Sequence, residues 1–305
     1  MQIRDFLITP QLEELTQHKT VQLPVACYET TIKQNVHGHI PLHWHNEIQF
    51  VLVTNGKAFF QINEEEVVVQ KGEGIFINSG CLHRADDQTA SDCVYICLNA
   101  SPLTLLTQDL HAKYVHPYIQ ATNLAYVKIG TDEDWEKNIL RAVMEIHQLI
   151  EQKSPYFEIS VIHHLNFIWQ NLIMNGIPLE HKETEVVKNQ RMKQMLIYIH
   201  AHVNEKITLS DIAKAGQLSR SETCRYFKRI VKQSPLSYVM DYRIKRSLLL
   251  LQDPNANVTD VGYQVGFNST SYFIAKFRES VGMTPLAYKK ITKDKFWKMD
   301  VDSSF

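Results

Sequence analysis

The pattern of apolar and polar positions changes character along the chain. From about Val25 to Leu98 it reads as short apolar segments between turn residues: IQFVLVT, NG, KAFFQI, VVVQ, the KGEG turn, GIFI and VYICLN. Regular short runs of this kind predict the strands of a small barrel or sandwich. Asn55-Gly56 between two of them predicts a tight hairpin, since both residues tolerate positive φ. From about Ser101 the period lengthens. Trp135, Ile139, Ala142, Val143, Ile146 and Ile150 recur three and four apart over Asp134 to Glu151, which predicts an amphipathic helix. Pro155 suits a second helix start, with Ile159, Ile162, Leu165, Ile168, Trp169 and Leu172 as its stripe and Gly176 and Pro178 as its stop. Glu180 to Lys188 is polar without a stripe and reads as a linker.

Beyond the linker the apolar pattern becomes that of short paired helices. In ITLSDIAKAGQLSRSETCRYFKRIVKQ, Thr208 with Asp211 forms a helix N-cap, Leu209, Ile212 and Ala213 supply a face, and Gly216 ends the helix. Ser219 or Arg220 starts a second helix that turns Thr223, Phe227, Ile230 and Val231 to one side. Ser221, Arg225, Lys228, Arg229 and Lys232 lie on the other. This is helix-turn-helix spacing, with small polar residues and Arg225 placed to reach base edges and cations placed to meet phosphates. About fifty residues later NVTDVGYQVGFNSTSYFIAKFRESVG repeats it: Asp211, Ile212, Ala213, Leu218 and Ser219 align with Asp260, Val261, Gly262, Phe267 and Asn268. The second recognition helix presents Thr270, Ser271, Ile274, Ala275 and Arg278. Pro235 to Gln252 forms a connecting helix with an exposed basic cluster at Arg243, Lys245 and Arg246, ended by Asp253-Pro254.

Charge divides the chain at the same place. Residues 1–183 carry 12 Lys+Arg and 22 Asp+Glu, net −10; residues 184–305 carry 20 and 11, net +9, which together give the net −1 of the chain. Such asymmetry is the footprint of a nucleic-acid-binding module joined to a module of another kind. No stretch reaches the roughly 20 uninterrupted apolar residues of a membrane-spanning helix, and no membrane partner is expected. Asp5, Glu13 and Glu14 stand where a secretion signal has its apolar core, which predicts a cytoplasmic protein. Five cysteines without a CxxC predict reduced thiols.

The run GFNSTSYFIAKFRESVGMTPLAYKK resembles the signature of the AraC/XylS family of bacterial transcription regulators, through Gly266, Phe267, Tyr272, Phe273, Phe277, Gly282, Thr284, Pro285 and Tyr288. With the first unit included the resemblance covers about Gln190 to Lys290. It implies two recognition helices in successive major-groove segments of double-stranded DNA. Its base-facing positions fall on Ser221, Cys224 and Arg225 in the first helix and on Thr270, Ser271, Ile274 and Ala275 in the second; with the basic residues Arg220, Lys228, Arg229 and Arg278 these make up the expected DNA-facing set. Many members have Arg at the place of Ala275, so the first unit is expected to carry most sequence specificity.

In the acidic part, PLHWHNEIQFVLVTNG and KGEGIFINSGCLHR resemble the two cupin motifs, with His43, His45, Gly56, Gly72, Gly80 and His83 in matching places. Gln49 stands at the first motif's Glu and Asn78 at the second motif's Pro. His43, His45, Glu47, Gln49 and His83 are the effector-binding candidates. Three histidines can hold Zn, Fe, Ni or Cu, with Glu47 as a substitute for the lost carboxylate; the alternative is a pocket for a carbohydrate or related metabolite, and no obligatory cofactor. Trp44, Phe50, Phe60, Phe76 and Tyr95 are either walls for a sugar ring or plain core.

The expected architecture is α+β and multidomain. Residues 1–100 form a cupin-like effector-sensing barrel, 101–183 a helical dimerisation segment and linker, and 184–305 an all-α double helix-turn-helix DNA-binding domain. The resemblance implies a homodimeric, effector-responsive regulator, in the usual case an activator that contacts RNA polymerase, and not an enzyme. The rival readings are a metal-binding cupin enzyme fused to a DNA-binding domain and a ligand-independent regulator set by abundance or a protein partner. The helices at 134–151 and 155–175 either form the dimer surface or pack on their own barrel.

Overall fold

A computed structural model describes residues 23–35, 38–88, 92–175, 177–253 and 255–291; the N-terminal residues 1–22 and the helix stops Gly176 and Pro254 lie outside them. The fold is α+β, in two compact units, residues 1–189 and 190–305.

The first unit opens with eight strands: β1 Val25–Thr31, β2 Ile40–His43, β3 Ile48–Asn55, β4 Lys57–Ile62, β5 Glu65–Gln70, β6 Gly74–Ile77, β7 His83–Asp86 and β8 Val94–Ala100. Helices α1 Gln108–Tyr114 and α2 His116–Ile119, strand β9 Tyr126–Ile129, and helices α3 Asp134–Gln152 and α4 Phe157–Ile173 follow. The strands form a five-stranded sheet, β1-β8-β3-β6-β9, and a four-stranded sheet, β2-β7-β4-β5, with antiparallel pairing throughout. Asn55-Gly56 therefore does not close a hairpin. Gly56 has φ of 72°, as a tight turn needs, but β3 and β4 belong to different sheets and the turn carries the chain from one to the other. The two-residue hairpin is β4–β5, turned at Asn63-Glu64 with Asn63 left-handed at φ 51°.

Strand β3 shows why the pattern read as near-continuous apolar: its first six residues are all buried. Side chains alternate across a strand, and here both faces are covered. Val51 and Val53 face the space between the sheets with Phe60, Ile62, Ile75 and Tyr95. Ile48, Phe50 and Leu52 face the other way, into a second core with Phe76, Ile139, Val143, Leu165 and Trp169. Phe50 and Phe76 (ring centroids 5.0 Å apart) thus lie under the helices and not in the barrel interior, which keeps Phe60 and Tyr95. The apolar stripes of α3 and α4 pack against their own sheet except at Ile159, which the spacing places in the α4 stripe but which is exposed, Val161 being the buried residue in that turn; Trp169 donates its indole N–H to the Tyr114 carbonyl at 2.9 Å.

Asn78, at the place of the cupin proline, is 3% exposed and donates to the carbonyls of Tyr118 (2.9 Å) and Leu124 (2.8 Å). Its backbone N–H bonds the Ala125 carbonyl at 2.9 Å. It anchors the segment that delivers β9 to the edge of β6, a task proline has no donor for. Asn78→Ala is expected to cost about 2–4 kcal/mol in urea unfolding, because two acceptors lose their donor in a buried setting; a change below about 1 kcal/mol contradicts the anchoring role.

The second unit is all-α. Helix α5, Glu183–Ala201, leads into it and replaces most of the expected linker. Its polar first turns lack a stripe, and the helix is held further on, where Met192, Met195, Leu196 and Ile199 are fully buried. Then come α6 Leu209–Ala215, α7 Arg220–Ile230, α8 Pro235–Leu250, α9 Val258–Gln264 and α10 Thr270–Val281.

Candidate functional site

The DNA-facing candidates sit on helices whose starts are written in local sequence. Thr208 and Asp211 cap α6 reciprocally, with the Thr208 N–H donating to the Asp211 carboxylate at 2.9 Å. Ser219 and Glu222 do the same for α7. The Ser219 hydroxyl and backbone N–H hold the Glu222 carboxyl below its usual range. Asn257 caps α9 and Ser269 caps α10. Within the second helix-turn-helix, a Cβ on Gly262 would stand 2.9 Å from the Phe273 ring, so α9 and α10 cross at a distance that only glycine allows.

On α7, Arg220, Ser221, Arg225, Lys228 and Arg229 are exposed and Cys224 is half-buried, while Thr223, Phe227 and Ile230 are buried. The cationic face expected from the spacing is therefore open to solvent. On α10, Ser271, Ala275 and Arg278 are exposed and Thr270 is half-buried. Ile274 departs from expectation: it is half-buried and packs on the core formed by Phe267, Phe273 and Phe277. Lys276 on the same helix is tied to Glu279 at 2.7 Å, while Arg278 is exposed. The exposed Tyr272 was not among the candidates, though its place beside Ser271 on the first turn of α10 is the signal for it.

The histidines come together through strand register. His43 on β2 pairs directly with His83 on β7, their ring centroids 4.1 Å apart; His45, just past β2, stands 5.0 Å from His83 and 5.7 Å from His43. All three are buried, and one ring nitrogen from each lies within 4.8 Å of the other two. Each Nδ1 faces a main-chain carbonyl: Pro41 at 2.8 Å, Glu47 at 3.0 Å and Cys81 at 2.9 Å. With Nδ1 so engaged as donor, Nε2 carries the lone pair, which is how carbonyl partners orient metal-binding imidazoles. The His83 Nε2 is buried without a hydrogen bond. Burial first, and the neighbouring His45 second, push the His83 pKa down to about 3, so its lone pair is available at neutral pH.

Gln49 and Glu47 take different places. Gln49 is 6% exposed, donates from Nε2 to Cys97 Sγ at 2.8 Å, and leaves Oε1 buried without a hydrogen bond. With His43, His83, Tyr28, Tyr95 and Cys97 it lines the barrel cavity. The Glu47 carboxylate lies 3.9 Å from His45 Nδ1, behind that ring, and so does not take the ligand position of the missing cupin glutamate. Cys97 was not a candidate; the alternation Tyr95, Cys97, Asn99 against Ile96, Leu98 on β8 is the signal that turns it inward. The donor set of three imidazoles suits Zn, Cu, Fe or Ni. The cavity holds about 10 Å³, the room of a single water.

Comparison with known proteins covers both regions. Residues 26–168 match the AraC-like ligand binding domain and residues 212–291 a helix-turn-helix domain. The uncharacterised helix-turn-helix-type transcriptional regulator YdeC of Bacillus subtilis (strain 168) is 59% identical over 289 residues, covering 95% of this chain and 99% of that protein. The Melibiose operon regulatory protein of Escherichia coli (strain K12) is 22% identical over 297 residues, covering 92% and 95%. Among solved structures, ToxT of Vibrio cholerae O395 aligns with a TM-score of 0.42 at 11% identity, over 88% of this chain and 97% of that one. No helix among the described residues is long and apolar enough to cross a membrane. A DNA-binding helix-turn-helix region and a cupin-like ligand-binding domain joined in one chain, together with near full-length identity to YdeC, make this protein a transcriptional regulator rather than an enzyme, and it belongs to the AraC family of helix-turn-helix regulators.

Proposed function

We propose that this regulator reads double-stranded operator DNA in the cytoplasm as a homodimer, and that a divalent transition-metal ion held by His43, His45 and His83 sets its DNA occupancy. The observation that carries the reading is the convergence of three buried imidazoles whose Nδ1 atoms all face carbonyls. An ion that binds one conformation of the first unit better than another shifts DNA affinity by that difference. Homodimerisation is supported by the outward side of α4 and its C-cap, where Ile159 and Met174 are 71% and 73% exposed. Activation through RNA polymerase is carried over from the family.

The test is fluorescence anisotropy with full-length protein and DNA that the protein selects from a random library. Chelator treatment followed by Zn, Ni, Fe(II) or Cu is expected to change Kd by about fivefold or more in wild type, the lower end of ordinary coupling between sites, and by less than about twofold in His43→Ala. An unchanged wild-type Kd overturns the metal reading. The relative named for the melibiose operon favours a second reading, a carbohydrate effector. A water-sized cavity admits a sugar only if the barrel opens, so this reading predicts a sugar-induced Kd change in metal-free protein.

Arg220, Lys228, Arg229 and Arg278 are assigned to phosphates. Each contributes about −0.9 to the slope of log K against log salt. Lys228→Ala is expected to make the slope shallower by about that amount and to weaken selected and scrambled DNA alike.

A further inference from the structure

Arg243 does not stand in the exposed basic cluster that its neighbours suggest. Of the cluster expected at Arg243, Lys245 and Arg246 only Arg246 is exposed; Lys245 is half-buried, as is Arg243 itself. Its Nε donates to the Val203 carbonyl at 3.0 Å and its Nη2 to the Glu205 carbonyl. Both acceptors belong to the turn that leads from α5 into the first helix-turn-helix. The other side of the guanidinium lies over the Phe267 ring, 5.9 Å from its centroid, in the turn of the second helix-turn-helix. That turn is seated as closely as a main chain permits. Gly266 has φ of 89°, and a Cβ there would stand 2.2 Å from the Val203 carbonyl oxygen and 2.8 Å from Arg243 Nη2.

From this junction we infer that Arg243 is a positioning residue for DNA recognition, which holds the two helix-turn-helix units at one separation and thereby sets the half-site spacing the protein reads. Helix α8 joins the units through its two ends, and the seating of each unit on its end is set by side-chain packing. The Val203–Arg243–Phe267 junction is a second tie beside it, so the two recognition helices move as one body. Arginine suits the task because its planar fork engages two carbonyls in fixed directions while its face covers an aromatic ring; a lysine ammonium is a point charge that does not span both. The consequence for function is geometric. Recognition helices enter successive major-groove segments about 34–36 Å apart, and a pair free to vary its separation loses ordering entropy on binding that a locked pair does not.

The experiment is site selection from a random DNA library with full-length protein, sequencing the bound fraction. Wild type is expected to return, for each protomer bound, two half-motifs at one spacing. Arg243→Met is expected to return the same half-motifs at spacings spread by about a base pair or more to either side, and to bind the wild-type site about tenfold more weakly. A residue that serves stability alone lowers affinity for every spacing equally and leaves the selected spacing single. A folded Arg243→Met protein, judged by a cooperative melt, that still selects one spacing overturns the inference. If that variant does not fold, Arg243→Lys decides on the same readout, since it keeps the charge and most of the stem but loses the two-carbonyl fork: spread spacing supports the positioning role and a single wild-type spacing overturns it.

Discussion

Zinc at about a hundredfold excess over its dissociation constant is expected to raise the melting temperature of chelator-treated protein by about 5–10 °C. Selective binding to the native state at that excess contributes about 2.7 kcal/mol, and a unit of this size gains about 2–4 °C for each kcal/mol. The site is prepared for it. Three imidazoles are already buried and oriented by carbonyls, so an ion has few side chains to order, and the His83 Nε2 has no hydrogen bond to give up. His83→Ala removes one ligand of three and is expected to abolish the shift. Gln49→Glu supplies the carboxylate that the donor set lacks and is expected to enlarge it, since an anionic ligand offsets the charge of a divalent ion. Equilibrium dialysis with elemental analysis, returning one ion per wild-type chain and none for His83→Ala, checks the same point without a melt. Wild type whose melting temperature and metal content ignore Zn, Ni, Fe(II) and Cu alike rules the site out.

Arg225→Ala is expected to lose between about 5-fold and 150-fold in discrimination between a selected site and scrambled DNA, which is the roughly 1–3 kcal/mol of a bidentate guanine contact expressed as a ratio. Arg225 is exposed on the second turn of α7 with a capped, well-packed helix behind it. Helix α10 offers less to a base edge: Ala275 is exposed but small, and Ile274 is turned half into its own core. Ile274→Ala is therefore expected to lower stability more than selectivity. Competition binding against scrambled DNA separates the outcomes. Equal weakening of both DNAs by Arg225→Ala shows that Arg225 meets phosphate and that specificity comes from elsewhere.

What was legible in the chain was local. The caps Thr208–Asp211 and Ser219, the three-and-four spacing of α3 and α4, and the inward and outward faces of α7 follow from rules that act within one or two helical turns. The members of the histidine cluster were legible from the alternate spacing of His43 and His45 and from likeness to the cupin motifs, but its geometry was not, because that depends on the register that sets His43 opposite His83 from another strand. Four features escaped for the same kind of reason. Strand β9 is four residues long and exists because β6 offers it an edge and Asn78 holds the approach to that edge. The Asn55-Gly56 turn is real, but which strand pairs with which is settled by the closure of two sheets. Glu47 sits two residues from His45, yet the chain bends after β2 and carries its carboxylate behind the ring. Arg243 looks like one more surface cation until the turns at Val203 and Phe267 are packed against it.

The sequence by itself determined the strand-rich first part and helical second part, the doubled helix-turn-helix with its caps, the acidic and basic halves and the identity of the chemically capable residues. These depend on periodicity, capping and charge, which are short-range properties of the chain. Tertiary structure alone decided that three imidazoles share one centre, that the barrel interior is filled almost to the size of a water, and that Arg243 joins the two DNA-reading units. Each of those results requires backbone carbonyls, sheet edges and turns distant in sequence to meet in space, and their meeting is set by the packing of the whole unit rather than by any segment of it.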